Sequence, residues 1–191
     1  MSSSAPLSRS CSTAGISTYP SYVTVLVACF GNVLRADDGV GVVIAERLLA
    51  EPLPPAVRVL DVGIGGIRLV QELMAGGVDV LLVVDAVDLG RPAGAVVVQR
   101  PDVLDVSTLS VERRRDELAD IHLATPARAL MMALGLGVLP ETTLIVGVQT
   151  TDTDEPREGL SATTTRAVPV AVREVRRLLA EHAMPAPGLA H

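Results

Sequence analysis

One stretch of the chain, residues 25–49, constrains the fold more than any other. An apolar run ends in a Gly31-Asn32 turn, two adjacent carboxylates follow at Asp37 and Asp38, and Val40, Val43, Ile44, Arg47 and Leu48 then recur at helical spacing. A strand buried on both faces, residues 23–28, must therefore hand over to a helix within a few residues. In open α/β sheets ligands gather outside the carboxyl ends of the strands, and this handover puts the acidic pair there. Asp37 is placed to cap the helix through the free N–H groups of its first turn. The helix start also favours the carboxylate form of Asp38.

The alternation continues downstream. Residues 57–60 read as a short strand, and Asp61-Val-Gly-Ile-Gly-Gly66 as a glycine-rich turn opening a helix that carries Ile67, Val70, Leu73 and Met74. Residues 78–84 form a third strand that ends directly on Asp85. Only about ten residues then lead to a fourth strand at 95–99, too few for a helical crossover, so that strand should run antiparallel. Residues 100–120 carry Pro, Ser and a mixed charge run around Arg113-Arg-Arg115, and read as an exposed loop with a helical turn. Thr125-Pro126 is an N-cap followed by Pro at the first helical position. A strand at 142–148, a polar loop at 149–165 and an amphipathic helix at 168–183 close the chain. These elements specify a three-layer α/β/α sandwich around a five-stranded, mainly parallel twisted sheet with one antiparallel strand. One domain, residues 22–183, is expected between a disordered N-terminal tail, 1–21, and a flexible C-terminal tail, 184–191.

Composition narrows the function classes. The chain is 49% hydrophobic but only 2% aromatic, so its core must be built from small aliphatic side chains. With a net charge of −6 and scattered basic residues it lacks a nucleic-acid footprint. No apolar segment reaches the roughly 18 residues that would span a bilayer. The Ser-rich N-terminal stretch has no apolar h-region, so a cytoplasmic location is expected. Cys11 and Cys29 make no disulfide framework, and no CxxC pair suggests zinc.

Three residues could carry chemistry together. Asp85 follows five apolar residues, and a buried carboxylate is costly without hydrogen bonds or a cation. His122 stands just before the Thr125-Pro126 helix start, where the helix dipole disfavours the protonated ring and leaves a nitrogen lone pair free for a metal. Each has an ordinary explanation when taken alone: a helix cap for Asp38, loop N–H groups for Asp85, a solvated or structural imidazole for His122. Taken together, Asp38, Asp85 and His122 give an incomplete N/O ligand set with open positions, suited to a divalent transition metal. Affinity order favours nickel or copper over manganese or iron at such a site, and the residues do not choose between them.

Other chemistries fit less well. Gly63, Gly65 and Gly66 miss the G-x-G-x-x-G spacing, and neither glycine turn is a P-loop with its lysine. No G-x-S-x-G elbow presents a serine. Cys29 with His122 and an aspartate could imitate a thiol protease, but a lone buried cysteine is usually an inert small hydrophobe. Asp38 and Asp85 could act as an aspartic-type pair if they came within hydrogen-bond reach.

From Val23 to about Leu179 the chain resembles the hydrogenase maturation proteases, the endopeptidases that process the large subunit of [NiFe] hydrogenases. The resemblance rests on Gly31-Asn-Val-Leu-Arg-Ala-Asp-Asp-Gly-Val-Gly41, on Leu60-Asp-Val-Gly-Ile-Gly-Gly66, on Leu82-Val-Val-Asp-Ala-Val-Asp-Leu-Gly90 with Pro92 and Gly94 after it, on His122, and on Val146-Gly-Val-Gln149. It implies an endopeptidase that recognises nickel already inserted in the precursor large subunit and then removes the C-terminal extension, acting as a monomer when free. Nickel would arrive with the substrate and touch Asp38, Asp85 and His122, with Gly31, Asn32, Gly63, Gly65 and Gly66 in the substrate-binding loops. Cys29 stands where the family usually has the first glycine of G-x-G-N, Ile64 where it commonly has Thr, and Asp38 where some members have Glu. A noncatalytic metal-sensing chaperone for the same precursor and a small-molecule hydrolase on the same fold are the alternatives.

Overall fold

The protein's structure, a computed structural model, describes residues 23–119 and 125–183. The two expected tails and His122 lie outside the described residues. Strand β1, Val25–Phe30, is buried at every position, as its unbroken apolar sequence requires. A 3-10 turn over Ala36–Gly39 leads into α1, Val40–Leu49, which stops ahead of Glu51-Pro52. β2 (Val57–Gly63), α2 (Gly66–Met74) and β3 (Val80–Val87) follow. Then come β4 (Val96–Gln99), α3 (Val111–Ala119), α4 (Pro126–Gly135), β5 (Thr142–Gln149) and α5 (Ala162–His182).

The sheet order is β2-β1-β3-β5-β4. All pairs are parallel except β4 with β5, which is antiparallel, so the short connection after β3 does what its length requires. Connections leave β1 toward β2 on one side and β3 toward β5 on the other, and the two central strands therefore flank a topological switch point. Two aliphatic cores cover the sheet. α1 and α5 bury Ile44, Leu48, Ala171 and Val175 against Val25, Val27, Leu82 and Val84. On the other face α2 and α4 bury Leu69, Leu73, Leu130 and Ala133 against Leu26, Phe30, Leu81 and Val83. Among the described residues no helix is long and apolar enough to cross a membrane.

Four expectations change. β3 runs on through Asp85 to Val87, because Asp85, Ala86 and Val87 pair with Gly147, Val148 and Gln149. Asp85 is thus a strand residue and not the first residue after one. Residues 111–119 form a nine-residue helix where a loop was expected. α5 begins at Ala162, six residues early, capped by the Ser161 hydroxyl, which accepts from Thr164 N–H, and it carries Pro169 in its interior. Finally, Asp37 caps neither the 3-10 turn nor α1. Its carboxylate is fully buried and accepts from Ser161 instead, from the backbone N–H at 2.6 Å and from the hydroxyl at 2.9 Å.

Candidate functional site

Asp38 and Asp85 meet at the carboxyl edge of the sheet, over the switch point. Both line a cavity of about 320 Å³ whose walls include Gly31, Asn32, Arg35, Gly63 and Ile64, with Thr125 and Pro126 at the start of α4. Asp38 also lines a neighbouring hollow of about 560 Å³ formed by Asp88, Arg91, Gln149, Thr150, Thr151 and Thr153, so it stands where two depressions join. A larger hollow of about 720 Å³ lies between α1 and α5, but the one acidic side chain on its walls, Glu51, is 2.8 Å from the Arg176 guanidinium. The 320 Å³ cavity is where Asp38 and Asp85 face each other.

Tight backbone packing aims Asp38. A Cβ on Gly31 would fall 2.4 Å from the Asp38 carbonyl oxygen, and one on Gly41 would fall 1.9 Å from that of Phe30. Only glycine at these two positions lets the end of β1 and the start of α1 approach so closely. Between them Ala36 takes a left-handed conformation, φ 43°, rarely adopted outside glycine. It is held there by its N–H, which donates to Arg157 O at 2.7 Å, while Asp37 N–H donates to Asp152 O at 3.1 Å. The turn sends Asp37 inward to Ser161 and leaves Asp38 on the cavity wall.

Burial raises the pKa of both wall carboxylates. That of Asp38 is pushed up chiefly by desolvation, opposed by the Arg35 guanidinium and a backbone hydrogen bond from Asn32. Asp85 is more deeply buried, and desolvation with the Asp38 charge behind it lifts its carboxyl to about 7. Two acids facing one cavity both resist ionisation, and a cation or a shared proton would relieve them.

Of the other expected residues, Gly31, Asn32 and Gly63 are on the cavity wall. Gly65 and Gly66 instead begin α2, where a Cβ on Gly66 would stand 3.0 Å from Ala129 Cβ of α4. Cys29 lies wholly within the α1/α5 core, and desolvation drives its thiol far above the ordinary range, which removes it as a nucleophile. Among the described residues no three Asp, Glu, His or Cys side chains converge as a metal site.

Two residues acquire roles that sequence reading did not give them. Arg35 lines the cavity and ion-pairs with Asp154. Gln149, buried at the end of β5, organises the loop after β3. Its Oε1 accepts from Leu89 N–H at 2.8 Å and Arg91 N–H at 3.2 Å, and its Nε2 donates to Asp88 Oδ1 at 3.1 Å and Thr150 O at 3.0 Å. Its signal was a lone amide closing an apolar strand, which must find partners once buried.

Comparison with known proteins gives concordant results. A family model described as hydrogenase maturation protease matches residues 42–178. The hydrogenase expression/formation protein HupM of Azotobacter chroococcum mcd 1 is 34% identical over 132 residues, covering 69% of this chain and 59% of that one, so the chain spans less than two thirds of that relative. The hydrogenase expression/formation protein HoxM of Azotobacter vinelandii is 32% identical over 158 residues, covering 82% of this chain and 72% of HoxM. Among solved structures, the hydrogenase maturating endopeptidase HybD from E. coli superposes with a TM-score of 0.63 at 27% identity, covering 83% of this chain and 93% of HybD.

Proposed function

Since the chain belongs to the hydrogenase maturation protease family, we propose that it is the endopeptidase that inspects a nickel-loaded precursor of a [NiFe]-hydrogenase large subunit and removes its C-terminal extension. The observation that carries this reading is the convergence of Asp38 and Asp85 on one open cavity, each held in a setting that disfavours its lone charge.

The donor set fits a divalent cation carried in by the substrate. Two carboxylates on an open wall can contact an ion whose remaining ligands belong to another protein, and a cation beside them offsets the cost of their burial. His122 is proposed as the third contact, on the strength of the family motif. Nickel bound in the precursor supplies a positive charge that orients the substrate and polarises the carbonyl to be attacked. The chain's own residues do the rest. Asp38 and Asp85 dock the loaded centre, and Asp85, titrating near neutrality, is suited to take up and return a proton at its carboxyl oxygen as the amide is cut. The loops of Gly31-Asn32 and Gly63 receive the extended substrate chain.

Co-expression with the precursor tests the proposal. The mature large subunit should lose the mass of its extension when nickel is supplied and keep it when nickel is withheld. An unchanged mass under both conditions, with a stable complex between the two proteins, would instead make the chain a chaperone that inspects without cutting.

A further inference from the structure

One wall of the cavity is apolar where it meets solvent. Ile64 is 65% exposed although it lines the same cavity as the two acids. Ile67 beside it, and Val33 and Leu34 on the loop after β1, are also about half exposed. The two loops are tied together: Phe30 pairs with Gly63 across the sheet, and Gly31 N–H donates to Gly63 O at 3.1 Å. Gly63, in a left-handed conformation with φ 58°, turns the chain so that Ile64 projects from the β2–α2 loop. Nothing in the core requires this. Single exposed aliphatic residues are common, but three on two joined loops and a fourth in the first turn of α2, beside a cavity, mark a contact surface. The neighbouring hollow that Asp38 also lines, with Asp88, Arg91, Thr150, Thr151 and Thr153, is mainly polar.

We propose that Val33, Leu34, Ile64 and Ile67 form an apolar lip that grips a bulky aliphatic or aromatic side chain of the precursor next to the scissile bond, with Ile64 as the main specificity determinant. The inference rests on the endopeptidase reading, and its occupant follows from continuity with the cavity: Ile64 belongs both to the lip and to the wall that carries Asp38 and Asp85, so a peptide laid across the two acids lies against it.

Steady-state processing of purified nickel-loaded precursor tests it. Ile64→Asp should raise KM roughly tenfold and change kcat less than about threefold, as expected when binding common to ground and transition states is lost. Its melting temperature should stay that of the wild type, because the side chain is mostly in solvent already. Leu49→Asp, an exposed aliphatic residue at the far end of α1, should leave KM unchanged. An unaltered KM for Ile64→Asp, or an equal rise for Leu49→Asp, overturns the lip. If the wild-type chain leaves the precursor uncut, the endopeptidase reading fails by itself. The lip is then judged by fluorescence titration of the precursor: binding about tenfold weaker for Ile64→Asp upholds it, and equal or undetectable binding for both proteins overturns it.

Discussion

The buried carboxylate of Asp37 accepts both the backbone N–H and the hydroxyl of Ser161, joining the start of α1 to the start of α5 across 124 residues of sequence. The neighbouring Asp38 is thereby fixed at the cavity wall, so a buried anchor sets the position of the acid that faces the cavity. Replacing Asp37 with Ala leaves the part-buried Ser161 N–H without its acceptor and the hydroxyl with only Thr164 Oγ1, and should cost about 2 kcal/mol. Ser161→Ala, which keeps the backbone donor but loses the hydroxyl and the cap of α5, should cost about 1 kcal/mol. Urea denaturation of the two variants should give this order, and the reverse order would mean that the carboxylate is not the anchor.

Asp85 should write itself into the pH dependence of stability. Its folded pKa, about 7, lies above the ordinary carboxylate value, so its contribution to stability is complete below about pH 4 and is lost as pH rises to 7. In metal-free buffer Asp85→Asn should match the wild type near pH 4 and exceed it by about 4 kcal/mol at pH 8. Chemical denaturation at the two pH values measures this, and a pH-independent difference would contradict it.

Processing should be lost in Asp38→Asn while folding is kept, because the side chain is only part-buried and the amide is isosteric. Intact-mass analysis of the co-expressed large subunit should show the extension retained, with an unchanged circular dichroism spectrum. A folded Asp38→Asn that still trims the precursor would remove this residue from the reaction.

Acidification should also weaken processing. If Asp85 contacts the substrate's cation as proposed, protons compete for it once pH falls below about 7, so the initial rate of the wild type should decline between pH 7.5 and pH 5.5. A flat profile over that interval would separate Asp85 from the rate-determining events.

Gly41→Ala should fail to fold or lose more than about 3 kcal/mol, since its new methyl group would fall 1.9 Å from the Phe30 carbonyl, with backbone on both sides unable to yield. Gln149→Ala should be milder, about 2 kcal/mol, with faster hydrogen exchange confined to Leu89 and Arg91, whose amides would lose their acceptor.

Much of this architecture was readable from residue patterns because strands buried on both faces leave continuous aliphatic runs, and β1, β3 and β5 announce themselves in this way. The antiparallel β4 followed from the length of a connection. What escaped had no local signature. α3, Val-Glu-Arg-Arg-Arg-Asp-Glu-Leu-Ala, lacks an apolar stripe of helical period, so its polarity read as loop. The closing helix was expected from residue 168, but it starts at Ala162, and its cap, Ser161, was hidden among threonines. Asp37 and Asp38 look alike in sequence, and only the distant Ser161 separates an anchor from a wall residue. At the site, the meeting of Asp38 with Asp85 was legible as two strand ends at one edge. The roles of Arg35 and Gln149 depended on partners from other loops, which no local pattern records.

Because successive connections depart from β1 and β3 in opposite directions, the vacancy above those strands is a product of backbone routing and owes little to the acids that line it. Location and reactivity are therefore separable here. A descendant with neutral residues at both acidic positions would keep an opening of similar size, ready to be refitted for another ion or another bond, whereas a change in the order of the strands would abolish it whatever the side chains.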